Sequence, residues 1–506
     1  MLIRVICLFL ILLGNSVFSQ ENKSLLSNND APLMGYNAHL SDAPKWNNSD
    51  FNLKVSQLNP NTLRYPGGSN SFYWDWEIGW TIPYSRLLAI LNDNNFLYEG
   101  KKIKDVNEFK KITLLNRKSN PFWRQVYRYN AKTPRPEKLE DFSKALTTHQ
   151  SKAVFTLNLI TSTIENELNM LLEAEKNNIS VEYIELGNEI NSENLITKHF
   201  YPNSKAYVDT CIRWSKKIFE EFPNAKIGVV GGDKNKRLVN WNQNLVEAIE
   251  KNFISKKNQF YFILHYYPYL KSPIYDFNNF KQYQQLMAFP KFDLEQRLNW
   301  WKWDKTKNFE TWVTEYNLVE PQPYLINNRW VHGLFISNLI NELWSKTRAS
   351  VFHYHTLGSK RFPVFSAINM MSSELNITTS GLVTSLWNRF TQNSVNFKKI
   401  NSNNYLWDVN FDSKFSCNCP NNPKIPTTVE LESLQIFKAE QKGKTVFLIT
   451  NLSNKYENFN LSTHNIKNIN VESYFAELND KNWSTTNSIS EKNVKIPPYS
   501  INLLSE

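Results

Sequence analysis

The chain has 506 residues, 41% of them hydrophobic, with 16 tryptophans and a formal net charge of +11. That length exceeds the roughly 250–300 residues at which a single core stops growing, so a large domain plus a smaller one is expected, and the apolar content excludes a disordered chain. The positive charge favours acidic partners in general, but the lysines are spread through the chain and no nucleic-acid-binding module accompanies them, so no nucleic-acid partner is expected.

Residues 1–19 carry Arg4, an apolar run from Val5 to Leu13 and then Val17-Phe18-Ser19, the pattern of a secretory signal peptide. The apolar run is too short for a permanent membrane helix, and no later run reaches about 18 uninterrupted apolar residues. The mature protein is therefore expected to be secreted or periplasmic, with no membrane span after signal removal. Cys7 leaves with the signal and has no lipidation context. Cys211, Cys417 and Cys419 remain, a sparse odd set that does not staple a fold. Cys417 and Cys419 fit a local disulfide or a structural role, since a lone Cys-x-Cys lacks a tetrahedral ligand set.

Apolar, β-rich runs follow at Leu33–Ala38, Thr62–Tyr65, Ala153–Leu159, Tyr183–Leu186, Lys226–Val230, Tyr261–Tyr267, Thr311–Glu315 and Ser350–His355. Helical spacing appears between several of them, over Ile164–Lys176, Lys205–Phe222, Leu238–Phe253 and Val331–Ser345. Strand and helix alternating in this way predict an α/β fold, a parallel (β/α)8 barrel, whose strands read as continuous apolar runs because both faces are buried. The long, Lys- and aromatic-rich stretch after the second strand is expected to be an elaborated loop over the barrel mouth. After Phe390 the character changes to short alternating runs at Leu434–Ala439, Thr445–Thr450, Ile469–Phe475 and Val494–Leu504, the pattern of an appended antiparallel β-sandwich. The expected domains are a catalytic barrel over 20–392 and a sandwich over 393–506.

In such a barrel the strands' C-terminal ends build the site. Glu189 follows the fourth strand and Glu315 ends the seventh. Burying an unpaired carboxylate beside a barrel core is costly, so two of them aimed at one mouth need a use. Two converging carboxyls are what glycoside hydrolysis requires: one protonates the leaving oxygen and the other attacks or positions water.

The stretches T-L-R-Y-P-G-G-S at strand two, E-L-G-N-E at strand four, L-H-Y-Y at strand six and W-V-T-E-Y-N at strand seven stand in the order found in retaining (β/α)8 glycosidases. On these the chain resembles glycoside hydrolase clan A, over the barrel and on into a sandwich like that of the arabinofuranosidases, xylosidases and heparanase-like members. The resemblance implies that Glu189 is the general acid/base and Glu315 the nucleophile. It implies that Asn188 holds the sugar hydroxyl beside the reacting carbon and that Arg64 keeps Glu315 ionised. A tyrosine of strand six, Tyr267 in preference to Tyr266, would donate to the nucleophile, with His265 beside it. The chain departs from the arabinofuranosidases where their substrate-contacting Asn directly follows the double glycine; here Gly67-Gly68 is followed by Ser69 and only then Asn70.

Trp74, Trp76 and Trp80 follow, and at least one is expected to stack on a sugar ring, while Asp75 and Glu77 fit either sugar hydroxyls or surface ion pairs. The Asn299–Trp303 run and Trp387 read as packing. His353 and His355 share a face of strand eight, and without a third ligand they fit hydrogen bonding within the barrel or to substrate better than a metal. The expected protein is thus an exported retaining glycosidase acting on a polysaccharide or oligosaccharide, an acidic glycan included, and needing no cofactor or metal. The alternatives are a catalytically inactive carbohydrate-binding barrel and a transglycosidase.

Overall fold

The computed structural model describes residues 30–38, 41–232, 236–270, 276, 279–320, 324–360, 365–371, 374–401, 405–411 and 428–506. The signal-peptide residues 1–19 and Cys417 and Cys419 lie outside the described residues. Eight parallel strands close a barrel: β1 (Leu33–Asn37), β2 (Thr62–Tyr65), β3 (Lys152–Thr156), β4 (Tyr183–Leu186), β5 (Lys226–Val230), β6 (Phe260–Tyr266), β7 (Glu310–Tyr316) and β8 (Val351–Tyr354). Each strand pairs with its neighbours in sequence order and β8 closes onto β1. The expected strands fall on these positions, three of them with the same ends. The helix Ile164–Lys176 also begins and ends where its periodicity predicts, with Thr163 as N-cap accepting from the Asn166 amide.

Register decides which side chains meet at the mouth. Asn37 of β1 lies opposite Arg64 of β2, and His265 of β6 lies opposite Glu315 of β7. The barrel interior is polar along one path: Thr62 meets His353 Nε2 at 2.9 Å, and Thr156 donates to Glu185 at 3.0 Å.

The stretch after β2 departs from the expected loop. It holds a two-residue hairpin, Trp74–Asp75 with Trp80–Thr81, and four helices: Tyr84–Asp93, Val106–Asn116, Pro121–Ala131 and Leu139–His149. Asp105 and Asn120 cap two of them, and Pro121 starts its helix where a missing N–H costs nothing. Phe96, Phe109, Phe122 and Trp123 are buried there and extend the barrel's hydrophobic core into the insertion. Ring centroids 4.6 Å apart for Phe122 and Trp123 show how closely it packs.

Beyond the last barrel helix, Thr379–Thr391, ten strands form the appended unit: β9 (Ser394–Ile400), β10 (Leu406–Asn410), β11 (Thr428–Glu432), β12 (Leu434–Gln441), β13 (Lys444–Asn451), β14 (Glu457–Asn460), β15 (Ile469–Phe475), β16 (Ser484–Ser490), β17 (Asn493–Ile496) and β18 (Ser500–Ser505). A six-stranded antiparallel sheet in the order β9-β12-β13-β18-β15-β16 is accompanied by the pairs β10-β11 and β14-β17. The run read as one strand from Val494 to Leu504 is two, because Pro497 and Pro498 cannot donate to a ladder. One face of the sheet joins the barrel's hydrophobic core through Phe437, Leu448 and Ile501; Phe447, Ile449 and Phe459 build a second core on the other. Among the described residues no helix is long and apolar enough to cross a membrane, and Cys211 is a buried free thiol.

Candidate active site

The stretch after β4 explains why a core strand leads to Asn188-Glu189. Gly187 adopts φ +84° and Glu189 φ +41°, so the chain turns sharply and delivers both side chains to the mouth. A Cβ on Gly187 would sit 2.8 Å from Ile190 Cγ1, and its φ is one that other residues rarely adopt. The turn therefore requires that glycine.

Glu315 is held by donors on each oxygen. Its Oε1 accepts from Arg64 Nη1 at 2.7 Å and from Asn37 Nδ2 at 3.0 Å, and its Oε2 accepts from the Tyr267 hydroxyl at 2.6 Å. His265 Nδ1 and His355 Nδ1 stand 3.7 and 3.8 Å from Oε2. Burial by itself would raise this carboxyl, but the charges of His265, His355 and Arg64, with the Tyr267 hydrogen bond, outweigh burial and hold it well below the usual carboxylate range. Glu315 is ionised at neutral pH.

Arg64 is fully buried and serves two carboxylates. Its Nε and Nη2 donate to Glu185 Oε2 at 2.9 and 2.7 Å, its Nη2 also donates to Asn188 Oδ1 at 2.9 Å, and Nη1 alone is left for Glu315. Burial opposes its charge, yet Glu185 and Glu315 more than compensate and raise its pKa further. The guanidinium is a permanent cation.

Glu189 differs in environment. Its side chain is 35% exposed against 7% for Glu315, and its Oε1 lies 3.4 Å from His265 Nδ1. His265 Nε2 lies 3.2 Å from Thr314 Oγ1, which holds the ring with Nδ1 toward the two carboxylates. One oxygen of Glu189, one of Glu315 and a His265 nitrogen all lie within 4.8 Å of one another, a spacing a cation could also use. The donor set fits that poorly, since Glu315 already faces the Arg64 cation and two neutral donors.

The expected residues divide clearly. Arg64, Asn188, Glu189, His265, Tyr267 and Glu315 converge, and Tyr266 turns away to donate to Asp293 at 2.9 Å. Asn70 is fully buried on the turn Gly68–Phe72 and accepts from Ser41 Oγ at 2.9 Å, while Ser69 is partly buried beside it. Trp74 and Trp80 belong to the core instead of facing a sugar: Trp74 is 4% exposed, donates to the Tyr65 hydroxyl at 3.0 Å and packs its edge on that ring. Trp76 is only partly buried, which leaves the expected stacking to it. Asp75 is buried and paired with Arg86, and Glu77 is exposed. His353 is a neutral core histidine, its pKa driven down by burial and then by Arg64.

Asn37 and Glu185 are site residues the sequence reading missed. Asn37 ends β1, the same strand-end position that singled out the glutamates, and its side chain also reaches His355 Nδ1 at 3.1 Å. Glu185 is a carboxylate inside the apolar run of β4, a misfit that itself calls for a partner cation. Gly67, at φ +79°, leaves room for Asn37, since a Cβ there would fall 1.9 Å from Asn37 Oδ1.

No family model and no curated protein matches the chain at the level of sequence. Solved structures do match in fold. An α-L-arabinofuranosidase from Thermotoga maritima aligns with a TM-score of 0.58 at 12% identity, over 95% of this chain and 97% of that one. The GH51 α-L-arabinofuranosidase from Thermotoga petrophila aligns equally, with a TM-score of 0.58 at 12% identity over 95% and 98%. A 4-O-α-L-rhamnosyl-β-D-glucuronidase from Fusarium oxysporum aligns at a TM-score of 0.53 and 10% identity over 96% and 99%. The chain shares with these proteins a (β/α)8 barrel carrying a C-terminal β-sandwich, the fold that the clan A resemblance implies.

Proposed function

We propose that the protein is an exported retaining glycoside hydrolase in which Glu315 is the nucleophile and Glu189 the general acid/base. The observation that carries this reading is the approach of the two carboxylates within 4.8 Å at one mouth of the barrel, Glu189 after β4 and Glu315 at the end of β7. Retaining enzymes hold their carboxyls about 5–5.5 Å apart, whereas inverting ones need about 6.5–9.5 Å to admit a water.

The environments assign the roles. A retaining mechanism needs one ionised and one protonated carboxyl at rest. Glu315 is buried beside the Arg64 cation and kept ionised; Glu189 is the more exposed of the two. Arg64 and Asn37 saturate Oε1, so Oε2 is the attacking oxygen. In the first step Oε2 bonds to the anomeric carbon, the bond to the leaving oxygen breaks, and the Glu189 carboxyl gives that oxygen its proton. In the second, Glu189 takes a proton from water, whose oxygen bonds to the anomeric carbon as the bond to Oε2 breaks. Asn188, fixed by Arg64, holds the neighbouring sugar hydroxyl. The signal peptide over 1–19 directs export, and the domains are read as a barrel over 20–392 and a sandwich over 393–506.

The test is an aryl-glycoside panel that includes arabinofuranosides, xylosides and glucuronides, with the first-formed anomer followed by NMR. Retained configuration, with loss of turnover in Glu315→Gln, is the expected result. An inverted product, or a Glu315→Gln variant as active as the parent, refutes the reading. Sugar binding without turnover by any substrate returns the protein to the class of binding barrels.

A further inference from the structure

The six-stranded sheet of the appended unit ends in two unlike edges. β9 closes one side with Lys398 and Lys399 and with a register break between Val395 and Lys398, devices by which an edge strand refuses a further strand. β16 closes the other side and carries none of them. Its sequence, Ser-Thr-Thr-Asn-Ser-Ile-Ser, holds no charge and no proline, and it pairs with β15 in unbroken register from Ser484 opposite Phe475 to Ser490 opposite Ile469. The run from Ser484 to Ile489 is exposed on both faces of the strand, Ile489 at 73%, so β16 is held by its ladder to β15 with little packing. The outward row of N–H and C=O groups on such an edge is a template for another strand.

We propose that β16 pairs antiparallel with β16 of a second copy of this chain, about a twofold axis at Thr486, so that the two sheets continue as one. A twofold axis between antiparallel strands stands perpendicular to the sheet and keeps every side chain on its own face, so it sets one residue opposite itself. Three central residues give the longest overlap. Centred on Thr486, the register sets Trp483 against Ile489, Thr485 against Asn487 and Ser484 against Ser488. Continued past the strand ends, it aims Lys481 at Glu491 and Asp480 at Lys492, and the symmetry makes each contact twice. Centred on Asn487, Trp483 meets Glu491 and Lys481 meets Asn493; centred on Thr485, Lys481 meets Ile489 and Trp483 meets Asn487. Of the three, only the Thr486 register joins an apolar pair to two pairs of opposite charge.

The charges are placed to serve it. Lys481, Glu491 and Lys492 are exposed, and among the described residues none of the three forms an ion pair within its own chain. The flank that bears Asp480 and Lys481 is anchored on the barrel helix Trp330–Thr347: the Trp330 amide donates to the Asp480 carbonyl at 2.6 Å and the Val331 amide to the Leu478 carbonyl at 3.0 Å. A second copy therefore meets a strand and a flank already in position.

The test is the mass of the protein in solution, by sedimentation equilibrium over about 1–100 µM, the range suited to a small interface. The parent is expected to pass from monomer to dimer. Thr486→Lys sets two lysines opposite each other on the axis and should raise the dimer Kd at least tenfold, whereas Thr147→Lys, which adds the same charge on the exposed face of the helix Leu139–His149, should change it less than twofold. Lys481→Glu should weaken the dimer at least threefold at low salt, and adding Glu491→Lys should restore it to within twofold of the parent. Circular dichroism confirms that each variant is folded. A parent that stays monomeric through the range, a Thr486→Lys variant that dimerises as the parent does, or a double charge swap no tighter than Lys481→Glu alone overturns the proposal.

Discussion

Replacing Tyr267 by Phe removes one hydrogen bond and almost no volume, and the structure sets what that bond does. The phenol donates to Glu315 Oε2 at 2.6 Å, within the range of charge-assisted O–H···O⁻ bonds. Such a bond contributes about 1.5–3 kcal/mol, and each 1.36 kcal/mol is a factor of ten in rate. Its effect is unequal across the two steps. Glu315 begins the first step already ionised, so the bond stabilises the starting state as well as the transition state, and its loss partly cancels. In the second step Glu315 leaves as an anion from a neutral ester, and the bond acts only as charge develops. Tyr267→Phe should therefore slow the second step by about 10- to 100-fold and kcat/KM, which reports the first, by much less. Stopped-flow measurement with an activated aryl glycoside should show a burst of phenol release and a lowered KM. A variant whose kcat/KM falls more than its kcat, with no burst, refutes the assignment of Oε2 as the attacking oxygen.

Gly67→Ala should inactivate the protein without unfolding it: the new Cβ meets Asn37 Oδ1 at 1.9 Å and displaces Asn37 from Glu315, and the φ of +79° adds strain of about 1–3 kcal/mol. Turnover lost with the cooperative thermal transition kept is the expected pair of results. Glu167, buried at 3% exposure, has its pKa pushed up to about 7, first by burial. Its folded pKa lies above the ordinary value of 4.5, so the folded state holds the proton more tightly and stability falls as pH rises from about 4.5 to 7. Glu167→Gln keeps an acceptor for the Asn158 amide and should gain about 2 kcal/mol at pH 8 with little change at pH 4.5, measured by urea unfolding at both values. A gain of the same size at both pH values excludes titration as its source. Gly187→Ala should abolish activity at a larger cost in stability than Gly67→Ala, because the backbone of the turn itself must move.

The barrel was legible because its strands are short apolar runs whose ends differ from their middles. Glu315 and Arg64 stood out as charges in such runs. Asn37 did not, since this chain uses asparagine freely and one more at a strand end carries little contrast. Glu185 was hidden by its neighbour: in a stretch with two glutamates, the strand-end rule selects Glu189 and offers no role to the carboxylate four residues earlier. The inserted helices escaped because their apolar spacing is diluted by lysines, although Asp105 and Asn120-Pro121 marked two starts. Trp74 was misplaced because a tryptophan near a mouth reads the same whether its ring turns inward or outward, and only Tyr65, its hydrogen-bond partner, decides.

Glu185 also explains how one arginine serves a nucleophile. A guanidinium free to swivel would follow the Glu315 carboxylate as it attacks and would offer a second donor to Oε2, holding it back. Here Nε and Nη2 are tied to Glu185 and Nη2 also to Asn188, and Thr156 fixes the same Glu185 oxygen from β3. Only Nη1 faces Glu315, and only at Oε1. Three strands thus fix the cation in one orientation, in which it lowers the nucleophile's pKa through one oxygen while the other, among the described residues, accepts a hydrogen bond only from Tyr267. The same clamp sets the direction of Asn188, so the acid placed deepest in the barrel governs both the charge of the nucleophile and the aim of the residue proposed to hold the sugar.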